Sequence, residues 1–252
     1  MKSKIVSLLS ALSLVAVAAQ GQLAEEFRPP RANCCLQNTA QSLADQLQDW
    51  NQFGRYHADN ETLKAQGPVA GRVVFLGDSI TDGWRLANYF PGKPYVNRGI
   101  SGQTTPQMLA RFYRDVINLQ PAAVIILAGT NDVARNTGPQ TAEMIEDNFR
   151  AITELAQAHK IKVILCALTP VSDYGKVRQT ERRPPSDVLK LNAWLREYAA
   201  KADAVYADYY TALADDKGFL RQGFSQDGLH PNPQGYDLMV PIAAAAIEKA
   251  LQ

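Results

Sequence analysis

Four short clusters of this chain hold side chains whose types suit acyl transfer: Gly77-Asp78-Ser79, Asn97-Arg98-Gly99-Ile100-Ser101-Gly102, Gly129-Thr130-Asn131-Asp132 and Asp227-Gly228-Leu229-His230. A serine hydroxyl becomes a good nucleophile when a base takes its proton, the base needs an acid to orient it, and the developing oxyanion needs fixed donors. Ser79 fits the first role. Asp227 and His230 are spaced so that they can hydrogen-bond on one turn and leave the far imidazole nitrogen free for Ser79. The backbone N–H of Ser79, the N–H of Gly102, which has no side chain to obstruct an acyl group, and the side-chain amide of Asn131 are the candidate oxyanion donors.

These residues act together only if the fold gathers them. From Arg72 onward, apolar runs at 73–76, 95–97, 123–127, 163–168 and 204–207 alternate with amphipathic patterns, which argues for five parallel strands joined by crossover helices. Thr105-Pro106 reads as an N-cap followed by a proline at the first helical position. Ile145, Phe149, Ile152 and Ala156 share one helical face, as do Val188, Leu191, Leu195 and Tyr198. A last helix opens at Asn232-Pro233, with a kink expected at Pro241. The polar stretch 171–185 reads as a long loop, and Leu43, Leu47 and Trp50 suggest a short helix before the first strand. Ligands bind beyond the carboxyl ends of such a sheet. Three of the four clusters follow a strand directly and the fourth precedes the last helix, so all four should meet in one crevice.

Taken in order, the four blocks resemble those of the SGNH hydrolases, also called the GDSL type, over 72–252. The resemblance implies a flavodoxin-like three-layer α/β/α sandwich with a five-stranded parallel sheet. It implies Ser79 as nucleophile, His230 as base, Asp227 as its acid, and Ser79, Gly102 and Asn131 as the oxyanion hole, with no metal and no cofactor. The family's substrates include acetylated carbohydrates, lysophospholipids, thioesters and aryl esters. The chain shows no long apolar lid for a fatty chain, so short acyl esters, among them acetyl groups on a glycan, are the expected substrates. Lysophospholipase or thioesterase activity on the same fold is the alternative.

Each residue also has a plain structural reading. Ser79 alone would be a helix cap, Asp78 a brace of its turn, Asn131 a turn residue and Gly99 a turn glycine. Trp84 reads as packing, His57 and His159 lie away from the strand ends, and Lys176, Arg178, Arg182 and Arg183 read as a solvated face. A flavin-phosphate module on this fold conflicts with Asp78 and Asp82 after the first strand, where an incoming phosphate would be repelled. A metal-dependent phosphatase built on Asp78, Asp82, Asp132, Asp227 and His230 leaves Ser79, Gly102 and Asn131 without a role. An inactive carbohydrate-binding protein would have lost a triad or oxyanion position, and none is missing. The Gly-x-Ser-x-Gly elbow is absent, because Thr81 stands two residues after Ser79.

With 26 Lys plus Arg against 25 Asp plus Glu, the 252-residue chain has a formal charge of +1, which gives no reason to expect nucleic acid. Lys2, Lys4, the apolar stretch Ile5 to Val17, which is short for a membrane span, and small residues around Val17, Ala18 and Ala19 have the layout of a signal peptide over 1–21. The expected organisation is that signal, an extension over 22–71 packed on the domain, and a hydrolase domain over 72–252, exported and without stable membrane insertion. Three cysteines make no disulfide framework, and Cys34 and Cys35 lack metal-ligand spacing to a histidine.

Overall fold

The computed structural model describes residues 49–252 together with Ala44, Leu47 and Gln48. The expected signal over 1–21, Leu43, Cys34 and Cys35 lie outside the described residues. Asp49–Gln252 forms one compact unit. Its order is α1 (His57–Ala65), β1 (Val73–Gly77), α2 (Ser79–Asp82), α3 (Leu86–Tyr89), β2 (Tyr95–Gly99), α4 (Thr105–Asp115), β3 (Ala123–Leu127) and α5 (Thr130–Val133). It continues with α6 (Ala142–Ala158), β4 (Lys162–Cys166), α7 (Gln179–Arg182), α8 (Pro185–Lys201), β5 (Val205–Ala207), α9 (Tyr209–Leu213) and α10 (Pro233–Leu251).

All five strands are parallel, in the order β2-β1-β3-β4-β5, with Val73 opposite both Tyr95 and Ala123. The two residues of each pleat go to opposite layers, because successive side chains of a strand alternate. Val74, Leu76, Val124, Ile126, Val163 and Leu165 pack under α4, α6 and α8. Val73, Phe75, Ala123, Ile125, Ile164 and Cys166 pack under α10 and an aromatic group around Trp84. This is the α/β/α sandwich, and the strands are buried on both faces, as parallel strands between helices must be. Strand order reverses between β1 and β3, which opens the crevice at their carboxyl ends.

Local boundaries differ from the sequence reading for identifiable reasons. The cap of α4 is Thr104, one residue earlier than expected, in a reciprocal capping box with Gln107. Thr105 is drawn away from capping because its N–H and hydroxyl both donate to Asp132, at 2.9 and 2.5 Å. β4 stops at Cys166 because the Asn192 side chain takes over the pairing, accepting from the Leu168 N–H at 2.7 Å and donating to its carbonyl at 3.0 Å. Within 171–185 the chain forms α7 rather than only loop. Before β1, Ala44, Leu47 and Gln48 are helical, as expected, while Trp50 lies exposed in a turn; α1 follows, its Asn60 buried against Arg98 and Asp115. Asn232 caps α10 by accepting from the Gly235 N–H at 3.0 Å, and Pro241 lies inside that helix. Among the described residues no helix is long and apolar enough to cross a membrane.

Candidate active site

β1 ends at Gly77 because the strand is pressed there between α2 and β3. A Cβ on Gly77 would meet Thr81 Oγ1 at 2.1 Å and the Leu127 carbonyl at 2.7 Å. Asp78 caps the following turn through Oδ1, which accepts from the Ile80 N–H at 2.9 Å, and Ser79 opens α2. Gly99 is not a turn glycine: it ends β2 against the backbone of α2, where a Cβ would stand 2.1 Å from the Asp82 nitrogen. The backbone that needs left-handed φ is at Gly102, at +81°, with open space where a Cβ would stand.

The Ser79 hydroxyl lies 2.8 Å from His230 Nε2, and His230 Nδ1 lies 2.6 Å from Asp227 Oδ2. A carboxylate accepts only, so the Nδ1 position carries the proton and a neutral ring presents a lone pair at Nε2 to the Ser79 O–H. Asp227 Oδ1 accepts from the backbone N–H groups of Leu229 and His230, at 3.0 and 2.9 Å, and from the Ser225 hydroxyl at 3.0 Å. Partial burial pushes the Asp227 carboxyl upward, but the His230 ring and these backbone donors outweigh it and bring it down to about 2. The turn is held from behind at Gly228. Its φ is +79°, its carbonyl accepts from the Ser172 N–H at 2.8 Å, and a Cβ there would stand 2.0 Å from the Ser172 carbonyl.

Asn131 follows β3 in the first turn of α5, after Gly129 at φ +106°. Its Nδ2 donates to the Gln103 carbonyl at 3.0 Å, and its Oδ1 accepts from Asn136 Nδ2 at 2.9 Å and Arg183 Nη2 at 3.1 Å. Asn136 Nδ2 also reaches the Gly102 carbonyl at 3.3 Å. Gln103 is buried; its Nε2 donates to the Asn51 carbonyl at 2.9 Å and its Oε1 accepts from Arg111 Nε at 2.6 Å. Arg111 in turn donates to the Gly77 carbonyl at 3.1 Å, joining the loop at Gly102 and Gln103 to the end of β1. Among the described residues neither the Ser79 nor the Gly102 N–H donates to a backbone carbonyl. Gln103, Arg111 and Arg183 escape a sequence reading because their partners are fixed only by the fold, whereas Asn136 and Ser225 stand five and two residues from Asn131 and Asp227, a spacing that could have pointed to them.

The acidic residues near the site are engaged separately. Asp82 accepts from Arg55 at 2.7 Å and from the Ser101 hydroxyl at 2.7 Å, and Asp132 is spent on Thr105. Among the described residues no three His, Cys, Asp or Glu side chains group to hold a metal ion. Asp78 is fully buried, its Oδ2 has no hydrogen-bond partner, and burial raises its carboxyl to about 7. Trp84 is a core residue, stacked on Tyr236 at 5.3 Å between centroids. Of the residues read as a solvated face, Arg182 is exposed, but Arg183 is only 3% exposed and turned toward Asn131.

The family description "GDSL-like Lipase/Acylhydrolase family" matches residues 75–238. A solved GDSL-like lipase of Bacteroides thetaiotaomicron is 40% identical, covers 80% of this chain and 99% of its own, and superposes with a TM-score of 0.74. The lipoprotein YqeF of Bacillus subtilis is 31% identical over 214 residues, which is 69% of this chain and 88% of that protein. An acetylxylan esterase of Geobacillus stearothermophilus is 24% identical over 200 residues, 67% of this chain and 90% of its own.

Proposed function

The chain belongs to the GDSL-like lipase/acylhydrolase family and is an ester hydrolase, and from that premise we propose that it works through an acyl-enzyme on Ser79 and acts on short acyl esters, acetyl groups on carbohydrate above all. The observation that carries the mechanism is the unbroken relay Asp227–His230–Ser79, with links of 2.6 and 2.8 Å.

In this reading Ser79 Oγ attacks the acyl carbonyl while its proton passes to His230 Nε2. The Asp227 carboxylate stabilises the imidazolium and keeps the ring oriented without itself taking the proton. The tetrahedral oxyanion is received by the N–H groups of Ser79 and Gly102 and by the Asn131 amide. Collapse breaks the ester C–O bond, and His230 returns the proton to the leaving alcohol. A water then repeats the sequence on the acyl-serine, with His230 as base, to release the acid and Ser79.

The acetyl preference is supported by the acetylxylan esterase among the relatives and by polar side chains beside the oxyanion loop, namely Asp82, Ser101, Asn136 and Arg182. Export is part of the same proposal. The first 21 residues are read as a removable signal, 22–71 as an extension and 72–252 as the hydrolase domain, in keeping with a relative that is a lipoprotein. Purified protein assayed on 4-nitrophenyl esters of increasing acyl length and on acetylated xylan tests the substrate class. Acetyl esters should show the highest kcat/KM and xylan should release acetate. Higher kcat/KM on octanoyl than on acetyl ester would contradict it.

A further inference from the structure

Arg183 is a buried cation that the relay does not use. It stands immediately after α7, and its guanidinium is spent on neutral oxygens: Nη2 to Asn131 Oδ1 at 3.1 Å, Nε to Thr130 Oγ1 at 3.1 Å and Nη1 to Gln179 Oε1 at 2.8 Å. Among the described residues no carboxylate lies within ion-pairing distance of it. A buried guanidinium without a paired carboxylate is costly unless its hydrogen bonds are met and its charge serves a purpose.

An asparagine amide can sit in either of two flips of nearly equal shape, and only its partners decide which end carries the N–H. On the Nδ2 side the Gln103 carbonyl, which only accepts, favours the observed flip; on the Oδ1 side Asn136 does not decide it, since it is an amide that can turn over together with Asn131. Arginine donates only. A flipped Asn131 would bring its NH₂ against Arg183 Nη2, donor against donor. The neighbouring Arg182 does the same for Asn136, donating to its Oδ1 at 2.9 Å and leaving Asn136 Nδ2 for Asn131 Oδ1 and the Gly102 carbonyl. Two adjacent arginines therefore fix two amides in series, both next to candidate oxyanion donors.

We propose that Arg183 is a positioning residue of the oxyanion hole: opposite the Gln103 carbonyl, it locks the Asn131 side chain with its oxygen turned inward and its second N–H available to the reacting carbonyl oxygen. Its charge further polarises that amide as negative charge develops on the substrate. The proposal rests on the reading of Asn131 as an oxyanion donor. Arg183 acts through Asn131 and does not touch substrate.

The test is a double-mutant cycle on full-length protein with 4-nitrophenyl acetate, reading kcat and KM separately, with circular dichroism and Tm for each variant. Asn131→Ala should lower kcat by about 10²–10³. Arg183→Met should lower kcat by about tenfold or more with KM little changed, because the loss is felt in the transition state. Arg183→Lys, which keeps the charge and one donor, should recover part of that loss and serves where the Met variant folds poorly. On the Asn131→Ala background either Arg183 substitution should cost less than about twofold further, since its target is gone. Multiplicative losses in the double variant would overturn the proposal while leaving Asn131 in its role. An unchanged kcat in Asn131→Ala would instead sink the oxyanion reading, and the proposal with it.

Discussion

At the residue scale, two carboxylates of one site are driven in opposite directions by what surrounds them. Asp227 is brought to about 2 by its hydrogen bonds from His230 and the turn backbone, so it is ionised at every pH at which an esterase is assayed. Its contribution to stability is present above the ordinary carboxylate range and is lost only as pH falls toward 2. Asp227→Asn should therefore lower kcat/KM on 4-nitrophenyl acetate by about 10³–10⁴, from the loss of orientation and of imidazolium stabilisation. A loss below tenfold would remove Asp227 from the relay. Asp78 is raised to about 7 by burial. A folded-state value above the unfolded one means that folding favours the protonated form, so stability is lost as pH rises from about 4, the unfolded value, to about 7. Asp78→Asn keeps an acceptor for the Ile80 N–H and cannot ionise. Its Tm should gain on the wild type between pH 5 and pH 8, whereas parallel Tm profiles would show that Asp78 does not titrate in that range. The spacing Asp227-x-x-His230 and the placement of Ser79 were legible in the sequence, because they depend on local turns. The buried Arg183, Gln103 and Arg111 were not, because a basic or amide side chain looks the same in sequence whether it faces water or another loop.

At the element scale, the site is set by how closely β1, α2 and β2 approach one another. The five strands were legible from apolar runs bounded by turn residues, α6 and α8 from their periodicity, and α10 from its Asn232-Pro233 opening. What was not legible depended on tertiary partners: the shift of the α4 cap to Thr104, the stop of β4 where Asn192 replaces a strand neighbour, and the short helices α1 and α7. The two glycines of the second block separate packing from chemistry. Gly99→Ala forces a methyl onto the Asp82 backbone, which cannot move cheaply. It should cost about 3 kcal/mol and lower Tm on the order of 10 °C. Gly102→Ala meets open space, so only its left-handed φ is penalised, by about 1 kcal/mol. Its methyl stands beside a candidate oxyanion N–H, so kcat/KM should fall by roughly tenfold or more. Thermal melts and ester kinetics on both variants check this contrast. Equal stability losses, or a fully active Gly102→Ala, would contradict it.

At the scale of the whole molecule, residues from four separate stretches meet because the strand order reverses between β1 and β3 in an all-parallel sheet and α10 returns across one layer. Ser79 follows β1, Gly102 follows β2, Asn131 follows β3, and Asp227 and His230 precede α10. The segment before α1 takes part as well, since the Asn51 carbonyl accepts from Gln103, whose own carbonyl holds Asn131. That link joins the segment at Asn51 to the loop at Gly102 and Gln103, and no motif in the chain announces it. The proposed mechanism has one nucleophile, Ser79, and covalent trapping tests that proposal most directly. The protein is incubated with a small alkyl 4-nitrophenyl phosphonate, and the adduct is located by peptide mass mapping. The account predicts one equivalent of 4-nitrophenolate released, activity lost in proportion, and a single phosphonyl group on Ser79. Full inhibition with Ser79 unmodified would contradict it.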